Sequence, residues 1–162
     1  KFCDTDFVGT DGVNGGKFIA PEDLAKSAFD LWPQTAGQPV GQPWVICTGG
    51  EPLLQMDTGL IAALKSVGFK IAVETNGTLA APQGIDWICV SPKADVPLVQ
   101  TSGHELKLVY PQAENSPEQF EDLEFTRLSL QPLDDENQMQ NSQAAFEYCL
   151  KNPKWTLSLQ KK

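Results

Sequence analysis

The chain has 162 residues, of which 41% are hydrophobic and 20% are charged, and its formal net charge is −9. This length can bury one substantial core, so a single domain over residues 1–162 is predicted. No apolar run approaches membrane-spanning length, and the acidic excess disfavours a surface that grips nucleic-acid phosphates. The bulk properties therefore favour a protein that binds a small molecule, with neither a membrane nor a nucleic acid as partner.

Glycine, aspartate and asparagine dominate the first 19 residues, which predicts a loop. Taken alone, Cys3 is more typical of a packed or free thiol than of a metal ligand, because iron–sulfur sites need several thiolates. Thr5 and the aspartates beside it suit magnesium, but an Asx-type turn explains them equally well.

Three longer helices are predicted from apolar periodicity and end signals. The first begins at Pro21 and has Leu24, Ala28 and Leu31 as its apolar face. The second follows Asp57 as its cap and ends near Val67, before Gly68. A third covers residues 138–150, and residues 34–43 between the first helix and the next strand are predicted to be a polar connector.

Six short apolar or β-branched runs predict strands, and they alternate with the helices. They are Trp44–Cys47, which is predicted to be buried, Ile71–Val73, Trp87–Val90, Leu106–Val109, Arg127–Leu130 and Trp155–Leu159. This alternation predicts an α/β fold of parallel strands, either a partial (β/α) barrel or a doubly wound sheet. In both architectures the ligand lies at the carboxyl ends of the strands.

Polar residues follow these strands at the ends where a ligand is expected. They are Thr48, Gly49, Gly50 and Glu51 after the first strand, Glu74 and Asn76 after the second, Ser91 and Lys93 after the third, and Gln131 and Gln160 after the last two. A curled parallel sheet brings such strand ends into one pocket. This placement favours an enzyme-like site.

Several of these residues also have simpler interpretations. The turn at Thr48–Glu51 is either a ligand cradle, with Glu51 holding an ammonium group, or a strand-to-helix turn that Glu51 caps. Asn76 could form only a turn, and Lys93 could lie on the surface. His104 is predicted to lie in a loop without a catalytic role.

Other patterns predict structural roles. Cys47, Cys89 and Cys149 lie among apolar residues and are predicted to be core thiols, and the four cysteines show no CxxC spacing, which favours a reducing cytoplasm. The acidic stretch from Glu114 to Glu136 is predicted to be a solvated face.

Together, the segments FCDTDF, CTGGEP, ETNG, VSPKAD, LQP and LSLQ, in this order, resemble the 7-carboxy-7-deazaguanine synthase family of radical S-adenosylmethionine enzymes. The resemblance covers nearly the whole chain. It implies a lyase of the radical S-adenosylmethionine fold that converts 6-carboxy-5,6,7,8-tetrahydropterin to 7-carboxy-7-deazaguanine and ammonia in queuosine biosynthesis. It also implies a [4Fe-4S] cluster, S-adenosylmethionine and Mg2+ as cofactors, a flavodoxin-like electron donor and a homodimer.

The resemblance implies a role for each matching residue. Cys3 would ligate the cluster, Thr5 the magnesium ion, and Phe2, Glu74 and Asn76 would contact the pterin. The residues implied to bind S-adenosylmethionine are Thr48, Gly49, Gly50, Glu51, Ser91, Lys93 and Gln131.

The sequence departs from the family pattern at both ends. The family's two other cluster cysteines and a substrate loop precede the position of Cys3, and a Thr-His-Lys segment follows LSLQ, where this sequence has Lys161 and Lys162. Truncation at the N-terminus and at the C-terminus is therefore expected. Two alternatives stay open: a radical S-adenosylmethionine activase of a partner protein, and a fragment that binds a ligand without catalysis.

Overall fold

A computed structural model describes residues 16–94 and 96–159. These residues form two compact units. The N-terminal unit contains residues 16–74 and 81–87, and the C-terminal unit contains residues 75–80 and 88–159. The single domain predicted from length stays a prediction, and each unit is described by itself.

Two helices of the N-terminal unit begin where the sequence signals predict. Helix α1 spans Pro21–Asp30, with proline in its first turn, and helix α2 spans Thr58–Ser66. The Asp57 carboxylate caps α2 by accepting a 2.8 Å hydrogen bond from the Leu60 amide. The two helices pack against each other.

The apolar face predicted for α1 is only partly correct. Leu31 is 86% exposed, because the helix ends at Asp30 and Leu31 forms its C-terminal cap. Ala25 is the fully buried position of α1. The ring of Phe29 meets that of Phe69 edge to face, with 5.7 Å between their centroids.

The predicted connector between α1 and the next strand contains a small hairpin. Strands β1 (Gln34–Thr35) and β2 (Gln38–Pro39) pair antiparallel. The two residues between them, Ala36 and Gly37, both have positive φ angles, of 52° and 76°. That conformation is typical of the tight turns that join hairpin strands.

Strand β3 (Trp44–Cys47) and strand β4 (Lys70–Thr75) pair in parallel, with Cys47 opposite Val73. The prediction that β3 is buried is wrong, since Trp44 is 39% and Ile46 is 62% exposed. Within the described parts of the chain, β4 is the only strand beside β3, so β3 lies at a sheet edge. An edge position leaves its apolar side chains uncovered.

Asp86 ties the segment 81–87 to β4. Its carboxylate accepts a 2.7 Å hydrogen bond from the Ile71 amide and a second one from the Lys65 ammonium group. Burial raises the pKa of Asp86, but the hydrogen bonds from Lys65 and Ile71 and the charges of Lys65 and Lys70 outweigh it, and the net pKa is lowered.

We expect Asp86→Ala to lower the free energy of unfolding by about 2 kcal/mol at pH 7, because it leaves the Ile71 amide without its carboxylate. A lowered pKa stabilises the fold above the unfolded-state value of about 3.9 and loses this effect as the pH falls through the folded-state value. The difference in unfolding free energy between the variant and the unchanged protein should therefore shrink as the pH falls below about 4.

Asp30→Ala is the matched control, since Asp30 pairs with Lys26 at 2.7 Å on the exposed surface of α1. Exposed pairs of this kind contribute little, so its curve should match that of the unchanged protein. A pH-independent loss in Asp86→Ala would contradict the electrostatic explanation.

The C-terminal unit contains a parallel sheet of four strands in the order β5, β6, β7 and β8. They span Trp87–Val90, Ser102–Tyr110, Glu124–Pro132 and Trp155–Leu157. A 3-10 helix covers Pro117–Phe120, and helix α3 spans Gln138–Lys151 and packs on β6, β7 and β8. The predicted strands are confirmed, although β6 and β7 extend further than their sequence runs and β8 ends at Leu157, before the predicted Leu159.

One face of this sheet carries the core of the unit. Seven buried residues form it, and α3 and the 3-10 helix contribute two of them. They are Leu106, Leu108, Phe120, Leu128, Leu130, Ala145 and Trp155.

His104 lies in β6, so the prediction of a loop there is wrong. Its Nδ1 accepts a 3.0 Å hydrogen bond from the Ile88 amide of β5. Pairing with the neighbouring strands orders the Ser-Gly-His segment, although these residues are typical of turns. The imidazole therefore has a structural role between two strands.

The described cysteines differ in burial. Cys89 is buried, as predicted, whereas Cys47 and Cys149 are only partly buried. Burial raises the pKa of the Cys47 and Cys149 thiols, which disfavours their thiolate forms.

The predicted acidic face is confirmed over most of its length, since Glu118, Asp122 and Glu124 are exposed. Glu121 is an exception, because it is half-buried and accepts a 3.1 Å hydrogen bond from the Trp155 indole. In the described ranges, no helix has the length and apolar character needed to cross a membrane.

Candidate functional site

The predicted site residues fall into three groups in the structure. Thr48, Gly49, Gly50, Glu51 and Glu74 lie in the N-terminal unit, and Asn76, Ser91, Lys93 and Gln131 lie in the C-terminal unit. Phe2, Cys3, Thr5 and Gln160 lie outside the described residues.

The glycine turn, residues 48–51, directly follows β3. Gly49 and Gly50 have φ angles of 81° and 54°, which side chains with a Cβ rarely adopt. A Cβ built on Gly50 would meet no heavy atom within 4 Å, so space remains beside the backbone. The turn therefore has both the backbone shape and the room that close approach of a ligand requires.

Glu51 forms the cap that the simpler interpretation predicted. Its Oε1 accepts a 3.0 Å hydrogen bond from the Leu53 amide at the start of a 3-10 helix, Pro52–Leu54. A carboxylate can accept about four hydrogen bonds, so capping and ammonium binding are compatible. The ammonium role of Glu51 stays a prediction.

Glu74 lies at the same sheet edge as the glycine turn. Because Cys47 pairs with Val73, the residue after each, Thr48 and Glu74, lies at the same level of the parallel pair. Glu74 is exposed, whereas the three residues before it are buried. A hydroxyl, two glycines and two carboxylates thus share the carboxyl edge of β3 and β4.

Ser91 and Lys93 lie together after β5. The Lys93 Nζ is 3.4 Å from the Ser91 Oγ, and the Ser91 amide donates a 2.8 Å hydrogen bond to the Thr75 carbonyl. Both side chains are half-buried. The structure therefore places a cation and a hydroxyl side by side where the strand ends.

Asn76 forms the turn that its simpler interpretation predicted. Its Oδ1 accepts hydrogen bonds from the Thr78 amide at 2.9 Å and from the Thr78 hydroxyl at 2.7 Å. The buried Thr75 also supports this turn, since its Oγ1 accepts a 3.0 Å hydrogen bond from the Gly77 amide. The contact of Asn76 with a substrate stays a prediction.

Gln131 lies near the carboxyl end of β7, opposite Val109 of β6. It is half-buried and belongs to the same four-stranded sheet as β5, after which Ser91 and Lys93 lie. The structure thus places Ser91, Lys93 and Gln131 at the carboxyl ends of the four-stranded sheet, whereas Asn76 follows β4.

Sequence reasoning missed polar residues inside the strands of this sheet. Glu105 and Lys107 alternate with Leu106 and Leu108 of the core, and Ser129 of β7 is fully buried. The alternation of Glu-Leu-Lys-Leu was a usable signal, because it predicts one apolar and one polar face.

Each unit has polar groups at its own strand ends. The N-terminal unit has the Glu51 carboxylate, and the C-terminal unit has the Lys93 ammonium group and the Ser91 hydroxyl. Across the parts of the chain that the structure describes, no three His, Cys, Asp or Glu residues group as metal ligands. The predicted cluster ligand, Cys3, lies outside the described residues.

Comparisons with known proteins give a consistent result. No protein-family model matches the sequence. The chain is 59% identical over 159 residues to the 7-carboxy-7-deazaguanine synthase of Caulobacter vibrioides, covering 98% of this chain and 74% of that protein. The protein of the same name from Bradyrhizobium diazoefficiens is 56% identical over 160 residues, covering 99% of this chain and 74% of its own length.

A solved structure shares the fold. The crystal structure of QueE from Escherichia coli matches with a TM-score of 0.56 and 23% sequence identity, over 74% of this chain and 56% of that one. This match and the parallel strands confirm the predicted fold class.

The sequence identity to these relatives is high enough to establish membership of an enzyme family, and the alignments cover nearly all of this chain. The predictions of an enzyme and of radical S-adenosylmethionine chemistry in queuosine biosynthesis are confirmed at that level. The chain belongs to the 7-carboxy-7-deazaguanine synthase family.

Proposed function

We propose that this chain binds S-adenosylmethionine and 6-carboxy-5,6,7,8-tetrahydropterin and contracts the pterin ring to 7-carboxy-7-deazaguanine with loss of ammonia. The observation that carries the proposal is the 59% identity to a synthase over 98% of the chain. The polar side chains at the carboxyl ends of the strands in each unit support it, because a parallel α/β enzyme binds its ligands there.

The proposed cofactors are S-adenosylmethionine, a [4Fe-4S] cluster and Mg2+. When bound, the cluster and S-adenosylmethionine supply the one-electron chemistry that starts the ring contraction. Cys3 would be one ligand of the cluster and Thr5 a ligand of magnesium, as the family resemblance implies.

The residues that the family resemblance implies for S-adenosylmethionine lie in both units, and each set would bind part of that molecule. The glycine turn lets backbone amides approach the methionine part, and Glu51 accepts hydrogen bonds from its ammonium group. Lys93, held beside the Ser91 hydroxyl, offers a positive charge to a carboxylate, and Gln131 contacts the remainder. Phe2, Glu74 and Asn76 would contact the pterin.

The proposed partners follow from the same resemblance. A flavodoxin-like protein would donate the electron, and the protein would work as a homodimer in the cytoplasm without binding nucleic acid or a membrane. Met139, Phe146 and Leu150 of α3 are exposed and recur along one side of the helix, which supports an apolar contact with another protein chain.

The function is tested with the full-length protein, reconstituted anaerobically with iron and sulfide. With S-adenosylmethionine, a reductant and the tetrahydropterin, we expect 7-carboxy-7-deazaguanine in a mass-spectrometric assay. Lys93→Met should lower the affinity for S-adenosylmethionine about 10- to 100-fold, since it removes a charged hydrogen-bond donor.

Lys26→Met is the matched control, because Lys26 lies on the exposed surface of α1 and contacts Asp30. It should keep full activity. No deazaguanine from the cluster-loaded protein would contradict the proposal. Turnover that needs a protein partner would instead identify an activase, and cofactor binding without any iron would favour a binding fragment.

A further inference from the structure

The C-terminal sheet has a polar face that the proposed function leaves without a role. Along β6, Leu106 and Leu108 are fully buried in the core with α3. Because successive side chains of a strand point to opposite faces, Glu105 and Lys107 lie on the other face. A parallel sheet is usually apolar on both faces, so this polar face calls for an explanation.

On the part of this face nearer the amino ends of the strands, the side chains contact one another and form what we call the closed network. The Ser129 hydroxyl donates a 2.6 Å hydrogen bond to Glu105 Oε1, and the Arg127 Nε is 3.9 Å from the same oxygen. Ser129 is fully buried and also lies 3.3 Å from the Thr156 hydroxyl. Glu105 is therefore held by Ser129 and Arg127.

Lys107 lies one step nearer the carboxyl ends of the strands. Lys107 pairs with Ser129 of β7. On its other side Leu106 pairs with Val90, so Ser91 follows at the level of Lys107.

Gln131, two residues beyond Ser129, projects from the same face of β7 as Ser129. Lys107 thus lies between the closed network and the strand-end residues Ser91 and Gln131. Half-buried, it adds a second positive charge, with Lys93, to this end of the sheet. Lys93 follows Ser91 by two residues, so both lysines belong to this end of the C-terminal unit, where an ammonium group can bind an anionic ligand.

We propose that Lys107 forms the floor of the ligand site and binds a carboxylate of the bound ligand. This inference rests on the proposed function, in which both S-adenosylmethionine and the pterin carry a carboxylate. A lysine at this depth suits that task, because its flexible stem carries three hydrogen-bond donors and a full charge.

The test compares ligands with and without the carboxylate. Binding of S-adenosylmethionine and of its decarboxylated analogue, and of the pterin and an analogue without its 6-carboxylate, is measured on the cluster-loaded protein. The variants are Lys107→Gln, which removes the charge, and Lys107→Arg, which keeps it. Lys154→Gln is the control, since Lys154 pairs with Glu121 on the surface behind the sheet.

We expect Lys107→Gln to lower the affinity for one ligand that has a carboxylate about 10- to 100-fold and to change the affinity for its carboxylate-free analogue hardly at all. Lys107→Arg should recover part of the lost affinity. The ligand that is weakened identifies which carboxylate Lys107 binds. A purely structural lysine would weaken a ligand and its analogue equally, which would overturn the inference.

The inference and the proposed function can fail separately. If the unchanged protein makes deazaguanine and Lys107→Gln keeps all four affinities, only the inference fails. If the unchanged protein binds neither ligand, both fail. If Lys107→Gln does not fold, the affinities of Lys107→Arg provide the test. Arginine is longer and has a forked cation, so it must change the ratio of the affinities for a ligand and its carboxylate-free analogue if Lys107 contacts the carboxylate.

Discussion

Gly77→Ala is expected to lower the free energy of unfolding by about 2–5 kcal/mol. The added Cβ would lie 2.5 Å from Leu98 Cδ1 and 2.7 Å from Val90 Cγ1. Val90 is fully buried and β-branched, so it has little freedom to move away, and overpacking of this kind costs about 1–3 kcal/mol. The φ angle of 77° adds the strain of a left-handed residue, about 1–2 kcal/mol.

Gly37→Ala separates these two causes. Gly37 has nearly the same φ angle, 76°, but a Cβ on it would meet no heavy atom within 4 Å. Gly37→Ala should therefore lower the free energy of unfolding only by the cost of backbone strain, about 1–2 kcal/mol. Urea denaturation of both variants measures the difference, and equal losses would show that the contacts with Leu98 and Val90 do not matter.

The position of Gly77 also connects this prediction to the candidate site. Its carbonyl accepts hydrogen bonds from the amides of Val99 and Gln100, at 2.8 and 3.0 Å, and Asn76 precedes it in the turn. A shift that relieves the contact with Val90 must therefore move this turn. We expect Gly77→Ala to lower activity as well as stability, whereas Gly37→Ala leaves activity unchanged.

The strands could be predicted from the sequence because each contains a short β-branched or apolar run between turn residues. Their full extent could not. β6 begins at Ser102, since pairing of Gly103 with Phe125 and the hydrogen bond to His104 hold residues that locally favour a turn. The exposure of Ile46 likewise depends on which strands lie beside β3, and the order of strands in a sheet cannot be predicted from the local sequence.

The site could be predicted to the level of which residues lie at strand ends. Parallel strands place their carboxyl ends at one edge, so Ser91 and Gln131 were found from order alone. The contacts of single side chains were beyond prediction, because both a cap and a ligand use the same carboxylate at Glu51. Lys107 is absent from the predicted site residues because it lies inside β6 and not at a strand end, although the alternation in β6 indicates the polar face that carries it.

Glu51→Gln is expected to weaken binding of S-adenosylmethionine about 10- to 100-fold while leaving stability nearly unchanged. The amide oxygen of glutamine can still accept the hydrogen bond from the Leu53 amide, 3.0 Å away in the unchanged protein. The negative charge that would face the ammonium group is gone, and a hydrogen bond to a charged group contributes about 1.5–3 kcal/mol. Equilibrium dialysis of the cluster-loaded protein measures the affinity, and thermal unfolding measures the stability.

Glu51→Ala completes the comparison, since it removes the cap together with the charge. It should bind the cofactor as weakly as Glu51→Gln and also lose about 1 kcal/mol of stability, the usual contribution of an N-terminal cap. If Glu51→Gln binds S-adenosylmethionine as tightly as the unchanged protein, Glu51 serves only as the cap of the 3-10 helix. The ligand's ammonium group must then be held by other atoms, and the backbone carbonyls of the glycine turn are the nearest acceptors along the chain.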